Sequence, residues 1–194
     1  MTRLEPVLSP ATLPLAELYA ARNDGDLYSV DECFSPIDSL ESVAARAAAV
    51  RAISSERLIA ERDTAAWIRG ARELPPALHT YCASTSARTR SLSRRAIVRE
   101  VVIDDGEIEL IAGMPVTTAL RTALDITRHS LRFDDEAAQL VRRLLDLGEH
   151  SLCQCVRELD RRPNLPGKKR AIVRLQIALE LPLPSRALPG PADV

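Results

Sequence analysis

The residues able to do chemistry are few and scattered. Three histidines, His79, His129 and His150, fall in three different stretches, and four cysteines stand at 33, 82, 153 and 155. Only His150, Cys153 and Cys155 lie near one another. On one helix His150 and Cys153 would share a face and could touch a metal, but no fourth ligand is in view. The plainer reading is a helix-capping histidine beside buried thiols. Cys153-Gln154-Cys155 lacks redox spacing, because residues two apart on a helix face different ways. The seven glycines are isolated turn residues, so there is no phosphate-cradling loop, and no Gly-x-Ser-x-Gly elbow occurs. A metal-dependent nuclease of the restriction type needs an acid two residues before a lysine. Here Pro166 and Gly167 stand at that distance before Lys168 and Lys169. The sequence therefore reads as non-enzymatic, with no catalytic residue, metal site or cofactor.

Cations are better placed. Residues 86–99 hold Arg88, Arg90, Arg94, Arg95 and Arg99 with no acid, alternating with Ser and Thr. Guanidinium forks and hydroxyls are what a phosphate-contacting loop carries, and also what a solvated loop between strands carries. Lys168, Lys169 and Arg170 follow Pro166-Gly167 in the first turn of a C-terminal helix. Cations there oppose that helix's own dipole, so local stability does not explain them; an anionic partner or simple solvation does. Candidate DNA contacts are thus Arg88, Arg90, Arg94, Arg95, Lys168, Lys169 and Arg170. The opposite sign collects at the N-terminus: residues 1–41 hold eight acids against Arg3 and Arg22. Such poles steer partners although the net charge is only −1.

The sharpest local pattern is Thr117-Thr118-Ala119-Leu120-Arg121-Thr122-Ala123-Leu124-Asp125. Thr118 suits a helix N-cap, leaving Arg121 and Asp125 one turn apart on one face. An intrahelical ion pair, or an Arg121 that ties down the preceding loop, accounts for it without catalysis.

The elements that position these groups follow from periodicity and punctuation. Residues 1–14, with Pro6, Pro10 and Pro14, predict extended or poorly ordered chain. A short helix over 15–22, a turn over 23–26 and a strand over 27–30 come next. Ser35 to Ser39 is a break, and Ser39 caps a helix over 40–53 with Leu40, Val43, Ala44, Ala47 and Val50 inward. A strand at 58–60 precedes a short helix, capped by Asp63 or Thr64, that carries Trp67 and ends at Gly70. Strands are expected over 78–83 and 96–103, with 108–111 returning as the hairpin partner of the second across Asp104-Asp105-Gly106. Helices are expected near 118–130, 133–147, 150–161 and 167–180, started by Asp134, Ser151 and the Pro166-Gly167 step, with an end at Gly148. A Pro-rich tail over 181–194 reads as disordered. The fold class is α+β: a small mixed or antiparallel sheet, then a C-terminal bundle of about four helices.

At 194 residues the chain suits one domain with a small appendage. Aromatic residues are 3%, so the core is Leu, Val, Ile and Ala, with Trp67 the single indole. Only two of the 26 basic residues are lysine, the usage of a high-GC bacterial genome. Scattered cysteines, no secretory signal and no apolar run near the ~20 residues of a membrane span predict a cytoplasmic protein away from the membrane.

Two main stretches resemble a known family, and Arg162-Pro163 with Pro166-Gly167, before the last basic helix, fits the same proteins. Leu58 to Gly70, with Thr64-Ala65-Ala66-Trp67, is similar to the Ser-Ala-Ala-x-x-Trp-Gly segment of AbiEi-like antitoxins and transcriptional regulators. Gly113-Met114-Pro115-Val116-Thr117-Thr118 with Arg121-Thr122-Ala123-Leu124-Asp125 is similar to that family's Gly-x-x-Val-Thr-x-x-x-Arg-Thr-x-x-Asp signature. Trp67, Gly70, Thr118, Arg121 and Asp125 are the signature positions. The resemblance implies a bacterial type IV toxin–antitoxin protein that binds operator DNA and counters a nucleotidyltransferase toxin without a stable complex. It also implies three parts: a shortened winged-helix-like segment over 1–39, an antitoxin domain over 40–180 and the tail over 181–194. The winged helix is cut to its last helix and wing, and what is left is acidic, which repels phosphate. Two alternatives stand beside this one. The first is an interaction domain that meets a basic protein partner through an exposed apolar patch and touches no nucleic acid. The second is the remnant of a Vsr-like endonuclease fusion that lacks the nuclease.

Overall fold

The computed structural model describes residues 7–84, 96–162 and 164–181. The chain is α+β and divides into two compact units, residues 1–122 and 123–194, with the division inside one helix. The stretch carrying Arg88, Arg90, Arg94 and Arg95, and the Pro-rich tail beyond residue 181, lie outside the described residues.

The first unit begins with α1 (Leu15–Asn23) and a hairpin of β1 (Leu27–Val30) and β2 (Cys33–Pro36). The sequence reading has no second strand here, and the last two residues of β2, Ser35 and Pro36, fall in the stretch it gives as a break. The turn of the hairpin is the pair Asp31-Glu32, with Asp31 at φ +55°, which lets Cys33 and Phe34 return and bury themselves. Of the stretch read as extended or poorly ordered, residues 1–6 lie outside the described residues, and the rest is held in place before α1. Leu8 and Phe34 exchange backbone hydrogen bonds of 2.7 and 2.9 Å, and Leu8 packs with Leu18 and Phe34.

α2 (Val43–Ile53) starts three residues later than expected, because Ser42 rather than Ser39 accepts the Ala45 N–H. It buries Ala45, Ala47, Ala49 and Val50, while Leu40 is 91% exposed. An Ala-rich helix has a weak apolar stripe, so periodicity alone misplaces its inner face. β3 (Ile59–Ala60) leads into α3 (Arg62–Ile68), whose N-cap is Glu61, ahead of both residues that the sequence suggested. The helix stops where Gly70 takes φ +78°, a left-handed position open to glycine at no steric cost.

β4 (His79–Ser84), β5 (Ala96–Val101), β6 (Ile108–Ile111) and β7 (Met114–Thr117) complete a five-stranded sheet in the order β5-β4-β3-β7-β6. The sheet is mixed. β4 runs parallel to β5 and β3 parallel to β7, while β3–β4 and β6–β7 are antiparallel. The expected hairpin of β5 with β6 is not formed; the two strands are opposite edges. Asp105–Glu107 winds into a 3-10 turn, closed by Glu107 Oε2 accepting the Asp104 N–H at 3.0 Å, so no hairpin turn forms there. The tight turn is Ala112-Gly113, both at positive φ, which folds β6 back on β7 with Ile111 opposite Met114. The core of this unit gathers Val30, Cys33, Val50, Leu58, Trp67 and Tyr81.

α4 (Ala119–His129) contains the division between the units, and α5 (Asp135–Leu147), α6 (Leu152–Asp160) and α7 (Lys168–Glu180) follow it. These four match the sequence reading to within two residues at each end. Asp134 and Ser151 cap α5 and α6 through the N–H groups of Ala137 and Gln154. α5 and α6 both pack on α7, burying Val141, Leu144, Leu145, Leu159 and Leu175. Among the described residues no helix is long and apolar enough to cross a membrane.

Candidate functional site

In the second unit, Lys168, Lys169 and Arg170 line an open depression of about 600 Å3 together with Asn164, Leu165 and Gly167. Gly167 is the N-cap of α7 and no side chain closes the helix start. Amides of the first turn and three cations therefore share one place, the ingredients of an anion site.

The three cations are not equivalent. Lys168 Nζ pairs with Asp160, and Arg170 donates to the backbone carbonyl of Arg128. Of the three, the Lys169 side chain alone has no hydrogen-bonding or ion-pair partner among the described residues. One turn on, Arg174 donates to the carbonyls of Thr127 and Ser130, both at 3.0 Å, and lies 5.0 Å from the Phe133 ring centre. Burial and then the neighbouring Arg170 lower the pKa of Arg174. Arg128 itself donates to Pro166 O and Asp125, both at 3.1 Å. Thus Arg170 and Arg174, unlike Lys169, do serve local structure. Arg170 and Arg174 cap the carbonyl end of α4, where a helix carries partial negative charge that favours a cation.

Of the signature residues Trp67, Arg121 and Asp125 are buried, Thr118 is half-buried and Gly70 is exposed. Thr118 accepts the Arg121 N–H at 3.2 Å and caps α4, as the sequence predicts. Arg121 is 5% exposed and its Nη1 donates to Glu107 Oε2 at 2.7 Å, tying the 3-10 turn to the helix start. Thr118 N–H reinforces that tie by donating to Glu107 O at 2.9 Å. Asp125, 1% exposed, accepts from Arg128. Trp67 is 1% exposed, and Arg46 lies 5.5 Å from its ring centre while donating to the carbonyls of Trp67, in the last turn of α3, and of Arg72 beyond it. What the signature marks is a set of buried ties around β7, α3 and α4.

His150 precedes the N-cap of α6 and is not on the helix with Cys153, so the two do not share a helical face. Among the described residues no group of His, Cys, Asp and Glu is arranged to hold a metal ion.

Sequence reasoning missed one polar constellation. His79 Nε2 lies 2.8 Å from Asp31 Oδ2, and Nδ1 lies 3.3 Å from Thr64 Oγ1, which itself accepts the Thr80 N–H at 2.8 Å. Acid, imidazole and hydroxyl in that order resemble a relay. Yet His79 and Thr64 have no exposed surface and the Asp31 side chain has 3%, so the hydroxyl has no open face for a substrate. Its effect is to fasten the β1–β2 turn to β4 and α3. Beside it, burial and then the Asp31 and Glu32 charges push the Cys33 thiol up to about 12 and raise Tyr81 as well. Next to it again, Glu61, wholly buried, is gripped by Arg99 through three contacts of 2.6–2.8 Å. Asp31 and His79 are 48 residues apart, and nothing local in the sequence pairs them.

No protein-family model matches the chain, and no curated protein matches it as a relative.

Proposed function

We propose that the chain is a non-enzymatic, antitoxin-like or transcriptional regulatory protein of a bacterial type IV toxin–antitoxin system, acting by binding in the cytoplasm. The observation that carries this reading is the depression at the start of α7, where Lys169 offers an uncommitted cation beside a helix start that no side chain caps. Phosphate oxygens are the anions such a place suits. Arg88, Arg90, Arg94 and Arg95 supply the remaining candidate phosphate contacts, with Lys168 and Arg170 in part committed to Asp160 and Arg128. The buried ties of Trp67, Arg121 and Asp125 support the same reading, since a binding domain needs a held scaffold. Operator DNA is the proposed ligand, and a nucleotidyltransferase-type toxin the functional counterpart without a stable complex.

Fluorescence anisotropy of the full chain against promoter duplex and a scrambled control, at several salt concentrations, tests it. Selective binding with a steep salt dependence is expected. Equal affinity for both duplexes, or none at low salt, overturns the DNA reading.

A further inference from the structure

We propose that the solvent side of α1 docks a basic, amphipathic segment of a partner protein, a binding surface separate from the DNA reading above. α1 is built unlike a solvated helix. Leu18 is its one buried residue, while Leu15, Ala16, Tyr19 and Ala20 are exposed, Leu15 at 48% and Tyr19 at 47%. A helix that turns only one side chain inward has little need of apolar residues elsewhere, and one apolar on its outer side gains by being covered.

The face is also held still. Leu18 packs with Leu8 and Phe34, and the Tyr19 ring stands edge-on to Phe34 at 5.4 Å. Phe34 is fixed in turn by its paired backbone bonds to Leu8. A tyrosine immobilised before binding gives up little freedom on contact, which is why such residues serve as anchors.

The charge around it selects the occupant. Glu17, Asp24, Asp26 and Asp38 are exposed, and none has a side-chain hydrogen-bond or ion-pair partner among the described residues. Arg22 is the only basic residue between Val7 and Glu41. Phosphate is repelled by such a surface, and a second copy would set carboxylates against carboxylates. Cations on the partner would neutralise them, with its apolar side chains against Leu15 and Tyr19.

The test uses the full chain and a labelled model peptide with leucines at helical spacing on one face and lysines on the other. The control is the same peptide with glutamate for every lysine. The lysine peptide is expected to bind and the glutamate peptide not. Tyr19→Ser, with Leu15→Ser as a second variant, should weaken binding about tenfold or more. Asp24→Asn with Asp26→Asn should weaken it and flatten its salt dependence. Removing two carboxylates elsewhere, by Asp135→Asn with Glu136→Gln, should change neither. Circular dichroism confirms that each variant folds. Binding of both peptides alike, or lysine-peptide binding that ignores Tyr19 and Leu15, overturns the proposal. So does a dimer by light scattering that Tyr19→Ser dissolves, which would give the face to a second copy. Duplex binding is read in a different assay, so failure of either proposal is recognisable by itself.

Discussion

Replacing Arg121 with methionine separates a structural signature from a contact surface. Methionine keeps much of the apolar stem of a side chain that is 6% exposed and removes the guanidinium, which donates to Glu107 at 2.7 Å. Breaking a buried pair by deleting one partner costs about 3–5 kcal/mol, because the other charge is stranded. Glu107 retains the Asp104 N–H at 3.0 Å and its side chain is 14% exposed, so it is not wholly stranded. The expected loss is therefore about 2–4 kcal/mol. At about 2–4 °C per kcal/mol for a chain of this size, the melting midpoint falls by on the order of 4–16 °C. Urea unfolding followed by circular dichroism should show a lower midpoint at unchanged slope. Glu107→Gln should cost less in the Arg121→Met background than in the native one, leaving a coupling on the order of 1–3 kcal/mol. A change within about 0.5 kcal/mol would refute the reasoning, since Arg121 would then not be holding the 3-10 turn. Loss of duplex affinity with full stability would refute it from the other side, making Arg121 a contact residue.

Gly113→Ala should destabilise by about 2 kcal/mol or more in the same assay, because it demands a left-handed alanine and its Cβ would fall 1.9 Å from Arg51 Nη1. Adding Arg51→Ala should recover the steric part and leave the backbone part; full recovery would show that the turn tolerates a side chain. In a native thiol titration at pH 8, exposed Cys153 should react promptly, and buried Cys33, Cys82 and Cys155 only on unfolding; more than one fast thiol contradicts the packing. Burial raises Cys33 to about 12 and Cys155 to about 11 from 9.0, so the unfolded thiols ionise first. Their stabilisation is complete below pH 9 and is lost as pH rises toward those values, so unfolding free energy should fall above pH 9 and recover for Cys33→Ser; a flat profile there would count against it. Lys169→Ala should leave stability within about 0.5 kcal/mol and lower the salt slope of duplex binding by about 1, whereas Arg170→Gln should cost stability through the α4 carbonyl end. Equal effects of the two substitutions would remove the distinction drawn between them.

How much was legible in the sequence depends on the range over which each signal acts. Asp134, Ser151 and Thr118 cap helices because an N-cap and its third amide are neighbours in the chain, so α4 through α7 are readable from local letters. Strand order is not local. Asp105-Gly106 is a hairpin dipeptide by composition, but the neighbouring Glu107 closes a 3-10 turn there, and Ala112-Gly113 makes the hairpin instead. β5 then finds its partner in β4, by a parallel pairing that no turn announces. The candidate site was legible as a cationic cluster, and its committed and uncommitted members were not. Asp160 and the Arg128 carbonyl, which distinguish Lys168 and Arg170 from Lys169, are set by the packing of separate helices.

That distinction bears on how the basic residues of this chain should be weighed. A guanidinium can satisfy the last carbonyls of a helix with several donors at once, and the partial negative charge there favours a cation. Among the described residues, arginine serves this way at the ends of α3, α4 and α7. Arg46 reaches the end of α3, Arg170 and Arg174 the end of α4, and Arg142 the Leu179 carbonyl at the end of α7 at 2.6 Å. Each removes a cation from the pool that a count of residues would assign to an anionic partner. The electrostatic case for nucleic acid therefore rests on a residue such as Lys169, which structure leaves uncommitted, and on the stretch 86–95. By the same argument the acids of α1 gain weight. Glu17, Asp24 and Asp26 cap or pair nothing through their side chains among the described residues, so the charge they display is free to meet a partner.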